Sequence, residues 1–159
     1  MSSLTDFYLS FYKALDKFNV EYMTVGGHAV IYHGYVRATS DLDLWINTED
    51  SNLEKLFTAL ISLGYKEEKC DEAVNFLQKN HMIKIPGDNE KIELLDSYML
   101  QDNFKNSYDN HVITTINGVH IRLIGYDDLI KCKLKSNRPK DLLDVKSLKE
   151  IRGILDSDN

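Results

Sequence analysis

A chain of 159 residues, 43% hydrophobic and 28% charged, has the length of one domain spanning 1–159, able to bury about two-thirds of the surface its unfolded form exposes. A formal charge of −6 excludes a protein that coats nucleic acid non-specifically, because that mode rests on many Lys and Arg contacts to phosphate. No apolar run approaches the roughly 20 residues of a membrane span, Cys70 and Cys132 belong to no C-x-x-C pair, and no signal peptide is evident, so a cytoplasmic setting without disulfides is expected.

Leu4, Phe7, Tyr8, Phe11, Leu15 and Phe18 recur at three- and four-residue steps, the pattern of an amphipathic helix with Ser2 or Ser3 near its N-cap, ended by Asn19. Tyr22 to Val25 reads as a strand that stops at Gly26-Gly27. The residues to His33 suit a helix buried against a sheet, its N-terminus turning free N–H groups toward the glycine pair, where a phosphate can approach bare backbone. Neither G-x-G-x-x-G nor the P-loop pattern is present. His28 and His33, five residues apart, lie on different helix faces and read as polar residues at a helix edge. A second strand then carries Asp41 and Asp43. Side chains alternate along a strand, so these carboxylates project from one face about 7 Å apart, a spacing suited to holding a divalent cation. Arg37, four residues before Asp41, is placed to meet a phosphate or to clamp Asp41, and Thr39 to bond the loop or a ligand.

The ordered set of Gly26-Gly27, thirteen residues, then Asp41-Leu42-Asp43-Leu44 resembles the signature of the nucleotidyltransferase superfamily, the DNA polymerase β-like fold. The resemblance implies that Asp41 and Asp43 are catalytic and hold Mg²⁺, with two ions expected, and that Gly26, Gly27, Arg37 and Thr39 bind a nucleoside triphosphate.

Thr48-Glu49-Asp50 opens a helix through Leu53, Leu56, Phe57, Leu60 and Ile61 that ends near Gly64. The acidic stretch that follows reads as a solvated rim, with a short helix over 71–78. His81 to Pro86 and Lys91 to Leu95 read as two strands of a hairpin around Gly87-Asp88-Asn89. In the resembled family a neighbouring strand supplies a third carboxylate, usually Asp; here that places Glu93 as a catalytic, metal-binding residue, with Asp96 as the alternative. Residues 97–110 mix a turn of helix with loop, their aromatics Tyr98, Phe104 and Tyr108 read as packing. Val112 to Ile116 and Val119 to Ile124 flank Asn117-Gly118, a strong hairpin signal, with His120 on the strand surface.

From Asp127 the chain reads as two helices, the second opened by Arg138-Pro139, making a C-terminal helical appendage over about 126–159. Lys133, Arg138, Lys140-Asp141 and Asp144 resemble the pattern K-x(4)-R-x-K-D-x-x-D of bacterial stand-alone nucleotidyltransferases, among them abortive-infection and antibiotic-modifying relatives. The resemblance implies that Lys133 reaches toward the triphosphate, with Arg138, Asp141 and Asp144 as further site residues. The competing reading is a salt-bridged helix hairpin.

The expected fold is α/β or α+β: a mixed sheet of about five or six strands, helices mainly on one face, and the C-terminal helix pair. The expected function is Mg²⁺-dependent transfer of a nucleoside monophosphate from a nucleoside triphosphate to the hydroxyl of an acceptor, whether antibiotic, RNA or protein. A homodimer that shares acceptor sites would suit so small a chain. The alternative is a catalytically impaired module of the same fold, for example in a toxin–antitoxin pair, motivated by Glu in place of Asp at position 93.

Overall fold

Thr5 opens the first helix, α1 (Asp6–Lys17): its hydroxyl accepts the Tyr8 N–H at 3.2 Å, an N-cap bond. The expected caps, Ser2 and Ser3, lie outside the residues that the computed structural model describes, which are 4–79, 82–99 and 103–157. Tyr8, Phe11, Tyr12 and Leu15 make the buried stripe of α1. There follow β1 (Tyr22–Val25), α2 (Gly26–Tyr32), β2 (Asp41–Ile46), α3 (Asp50–Ser62), α4 (Glu67–Gln78), β3 (Ile83–Pro86), β4 (Lys91–Leu95), α5 (Phe104–Tyr108), β5 (Val112–Ile116), β6 (Val119–Leu123), α6 (Tyr126–Ser136) and α7 (Pro139–Ser157). The helix expected over 71–78 starts earlier, because Glu67 and Glu68 sit in its first turn, where negative charge opposes the helix dipole favourably. His81, expected to begin β3, lies outside the described residues. Asn117 and Gly118 have φ of 51° and 77°, the paired positive values a two-residue hairpin turn demands.

Six strands form one mixed sheet in the order β3-β4-β2-β1-β6-β5. Both hairpins and the β1–β2 pair are antiparallel, whereas β2 pairs with β4, and β1 with β6, in parallel. Alternation then sorts side chains to two faces. Leu42, Leu44 and Ile46 of β2 with Ile92 and Leu94 of β4 join Tyr8, Phe11 and Leu15 of α1, Leu53, Leu56 and Leu60 of α3, and Leu77 of α4 in one core. Met23, Val25 and Trp45 join Ala29 and Val30 of α2, Phe104 of α5, Leu129 of α6, and Val145 and Leu148 of α7 in a second. Helices therefore cover both faces rather than mainly one. The reason lies in β1 and β2, whose outward residues Met23, Val25 and Trp45 are as apolar as the inward ones and need a second layer; each such side chain removed from water contributes about 1.5–3 kcal/mol. Among the described residues, no helix is long and apolar enough to cross a membrane. Cys70 and Cys132 are buried free thiols.

Candidate functional site

The parallel register of β2 and β4 sets Asp43 opposite Glu93 and Asp41 opposite Lys91. Leu42, Leu44, Ile92 and Leu94 between them are fully buried in the first core, so Asp41, Asp43 and Glu93 all project from the second face. There they stay partly open, the Asp41 and Glu93 side chains 26% and 17% exposed. Asp96 follows the end of β4, three residues beyond Glu93, and its carbonyl accepts the Trp45 indole N–H at 3.0 Å; it lines a separate surface hollow with Asn47, Glu49 and Lys105. Of the two candidates for third carboxylate, Glu93 is the one set beside Asp43.

Gly26 and Gly27 follow β1, whose Val25 pairs with Asp43. Gly26 has φ +67°, the left-handed region that disfavours any side chain, and a Cβ there would overlap Oδ2 of Asp43 and lie 3.3 Å from its Cγ. A Cβ on Gly27 would overlap the Thr39 hydroxyl, with the Thr39 Cβ 2.7 Å and an Arg37 nitrogen 3.2 Å away. The missing side chains at 26 and 27 admit Asp43 and Thr39, which lie against the glycine turn where a phosphate is expected to approach. The Gly26 N–H is taken by the Tyr98 hydroxyl at 3.2 Å.

The electrostatics of the face centre on Asp43. Burial, a hydrogen bond shared with Glu93 and the negative charges of Glu93 and Asp41 together push its carboxyl up from 3.8 to about 7, against a small opposing pull from Lys140. Its Oδ1 is buried with no hydrogen-bond partner. The Lys91 ammonium sits 3.6 Å from Oδ2 of Asp41 and 3.9 Å from Oε1 of Glu93. Tyr8 places its hydroxyl 3.3 Å from the carbonyls of both Ser40 and Lys91, tying the starts of β2 and β4; burial first, then Glu90, Asp41 and Asp43, push it up to about 12, so it acts as a donor.

Arg37 does not clamp Asp41. Its guanidinium grips the buried carboxylate of Asp144 through Nε at 2.8 Å and a second nitrogen at 3.0 Å, and donates to the Ala38 carbonyl at 2.9 Å. Lys133, expected to reach toward a triphosphate, is 2% exposed with its ammonium 3.0 Å from Asp141 and 2.9 Å from Asp144. Arg138 Nε adds a 2.6 Å bond to Asp141 and Ser136 another. Burial opposes ionisation of Asp141, but the bonds from Ser136, Arg138 and Lys133 outweigh it and hold its carboxyl down at about 2. Lys133, Arg138, Asp141 and Asp144 therefore form the salt-bridged α6–α7 junction, extended to Arg37. His28 is buried rather than at a helix edge, packed edge-on to the Tyr8 ring at 5.5 Å. Burial first, then the Arg37 charge, lowers its pKa against the pull of Asp41. His33 donates from Nε2 to the Ile124 carbonyl at 2.7 Å.

The sequence motifs do not single out Lys91, Tyr8 or Tyr98 as neighbours of the carboxylates. For Lys91 a signal exists, since residue 91 shares parity with Glu93 on a strand; Tyr8 and Tyr98 reach the site through long-range packing that no local pattern encodes.

Among the described residues, no three His, Cys, Asp or Glu side chains close into a preformed metal cage. The donor set nonetheless fits a hard cation. Mg²⁺ is typically held by one or two carboxylates completed by phosphate oxygens and water, and Asp43 Oδ1 is a buried carboxyl oxygen without a hydrogen-bond partner. An apolar hollow of about 310 Å³ between α3, α4 and β3, lined by Leu60, Tyr65, Phe76 and Ile83, holds none of these carboxylates.

Comparison with known proteins bears on the family and the fold. A family described as nucleotidyltransferase of unknown function (DUF6036) matches residues 9–158. Two solved structures share the fold: a candidate nucleotidyltransferase from Thermotoga maritima, 14% identical with a TM-score of 0.56 over 98% of this chain and 96% of that one; and an antigenic nucleotidyltransferase-like protein from Paracoccidioides brasiliensis, 16% identical with a TM-score of 0.52 over 94% and 79%. No curated protein matches the chain.

Proposed function

Because the chain belongs to the DUF6036 nucleotidyltransferase family, we propose that it transfers a nucleoside monophosphate from a nucleoside triphosphate to an acceptor hydroxyl, with Asp41, Asp43 and Glu93 as the reacting carboxylates. One observation carries this reading: three carboxylates from two adjacent parallel strands share a face beside the Gly26-Gly27 turn, and one of their oxygens is buried without a partner.

In the reaction the acceptor oxygen bonds to the α-phosphorus as the bond to the bridging oxygen of pyrophosphate breaks in line, and the acceptor proton leaves to a base. Glu93 is that base, its neighbour Asp43 being the carboxyl that burial and charge crowding hold reluctant to ionise. Asp41 and Asp43 would hold a magnesium ion, which when bound would supply positive charge to the phosphate oxygens and acidify the acceptor hydroxyl. Thr39, packed on Gly27, fixes the approach of the loop to the face. Arg37 acts from behind that loop, through Asp144 and the Ala38 carbonyl, as a positioning residue.

Incubation with labelled nucleoside triphosphates, Mg²⁺ and a panel of antibiotic, RNA and protein acceptors tests this. Transfer in the wild type, reduced at least 10²-fold by Asp41→Asn or Asp43→Asn, is expected; transfer untouched by both substitutions overturns it. A second reading, a nucleotide-binding module without transfer, is favoured by one specific feature, the Lys91 ammonium lying against Asp41 and Glu93. Calorimetry separates the two: the enzyme binds triphosphate much more tightly with Mg²⁺ than without, whereas the module is indifferent to metal.

A further inference from the structure

Lys91 opens β4 two residues before Glu93 and opposite Asp41, so strand alternation delivers its side chain to the acidic face. Its backbone carbonyl is in reach of the Tyr8 hydroxyl, which fixes where the side chain departs. From there the ammonium lies 3.6 Å from Asp41 and 3.9 Å from Glu93, while Asp43 Oδ1 has neither cation nor hydrogen bond. Positive charge is therefore distributed unevenly over three carboxylates: the Asp41–Glu93 flank has an ammonium lying against it, and Asp43 feels only the weaker pull of Lys140.

Resting on the nucleotidyl-transfer reading above, we propose that this face takes a single divalent cation, between Asp41 and Asp43, and that the Lys91 ammonium supplies the second positive charge, between Asp41 and Glu93. Two positive charges about 4 Å apart repel at short range even in a partly hydrated cleft, so a second divalent ion on the Glu93 flank must first displace the lysine. A lysine is suited to this role because its ammonium is a compact point charge on a flexible stem, able to neutralise carboxylates without fixed directional demands. The 40% exposure of the side chain leaves it room to lean toward a triphosphate oxygen while keeping its charge on this flank. The absence of a closed three-ligand cage among the described residues agrees with a site that holds one ion on two carboxylates.

Titration of the full chain with Mn²⁺ alone, reading the free-ion signal by electron paramagnetic resonance, counts ions without reference to activity. Expected are one ion per chain in the wild type, one in Lys91→Arg, and at least tenfold weaker binding in Asp43→Asn. In Lys91→Met and Lys91→Gln a second ion enters, or the first binds at least tenfold more tightly. Two ions in the wild type, or folded Lys91→Met and Lys91→Gln proteins that titrate as the wild type does, overturn the role of Lys91 and leave the transfer reading standing. No ion in the wild type or in either Lys91 variant overturns both. An ion that binds only when Lys91 is removed also overturns the proposal, and makes the lysine a block of the kind the binding module requires.

Discussion

Asp43 is held in a state the free protein would rather avoid. An ordinary carboxyl is ionised above pH 4, but burial, Glu93 and Asp41 push this one up to about 7. Between those two values the folded state holds a proton that the unfolded state has released, so folding stability falls as pH rises from about 4 to 7 and the full penalty persists above 7. Asp43→Asn removes the penalty while its amide can still donate to Glu93. The substitution should stabilise the metal-free protein by on the order of 2 kcal/mol at pH 8 and by almost nothing at pH 4, as measured by urea denaturation at the two pH values. Equal effects at both would mean the carboxyl is not crowded. A second residue-scale prediction concerns Gly27, where an added methyl meets Thr39 rather than open space. Gly27→Ala should cost about 1–3 kcal/mol, and Thr39→Gly in the same chain should restore part of it, giving a coupling of about 1 kcal/mol or more. Additive losses would count against the contact.

At the scale of elements, the α6–α7 hairpin is joined to the α2–β2 loop by buried charge. Lys133 neutralises Asp141 and Asp144 together, and Arg37 shares Asp144 from a position 107 residues away in sequence. Lys133→Met leaves two buried carboxylates short of a cation and should destabilise by about 3–5 kcal/mol. Asp141 gives the network a pH signature with the opposite sign to Asp43. Its folded value of about 2 lies below the ordinary 3.8, so its contribution, on the order of 2 kcal/mol, is present above pH 4 and lost as pH falls toward 2. Urea midpoints between pH 5 and 2 should fall more steeply in the wild type than in Asp141→Asn; parallel curves would remove Asp141 from the network.

The same two elements mark what a sequence can carry. DLDLWI and KIELL alternate at period two, so the common face of Asp41 and Asp43 is legible in the residues alone, as is the Asn-Gly hairpin. The helices of residues 126–157 are legible from their caps and charges. What those charges do is not, because a charged i,i+3 or i,i+4 pattern reads the same whether water or protein surrounds it. Only burial, decided by the apolar second face of β1 and β2, turns Lys133 inward. The glycine pair is likewise legible as a place without side chains, but not as the place that Asp43 and Thr39 fill.

Over the whole molecule the decisive fact is that one sheet serves two cores. Leu44 and Trp45 are sequence neighbours on opposite faces, so strand β2 cannot lose its register without opening both layers. Trp45 is the single tryptophan of the chain, fully buried against Phe104 at 5.4 Å with its indole N–H bonded, and its fluorescence reports the second core. Far-UV circular dichroism weights the helices of both layers. A C-terminal helix pair that stood apart from the sheet would melt first, moving the fluorescence before most of the dichroism was lost. Shared strands require the two signals to move together, the mark of a two-state transition. Leu148→Ala, which empties a site 1% exposed in the second core, should shift both midpoints equally by the equivalent of about 2–5 kcal/mol, whereas Leu143→Ala, 55% exposed and earlier on α7, should move neither by more than about 0.5 kcal/mol. A fluorescence midpoint that separates from the dichroism midpoint in Leu148→Ala would show that the second layer folds on its own account, and the strands of β1 and β2 would then no longer be what couples the acidic face to the buried charges behind it.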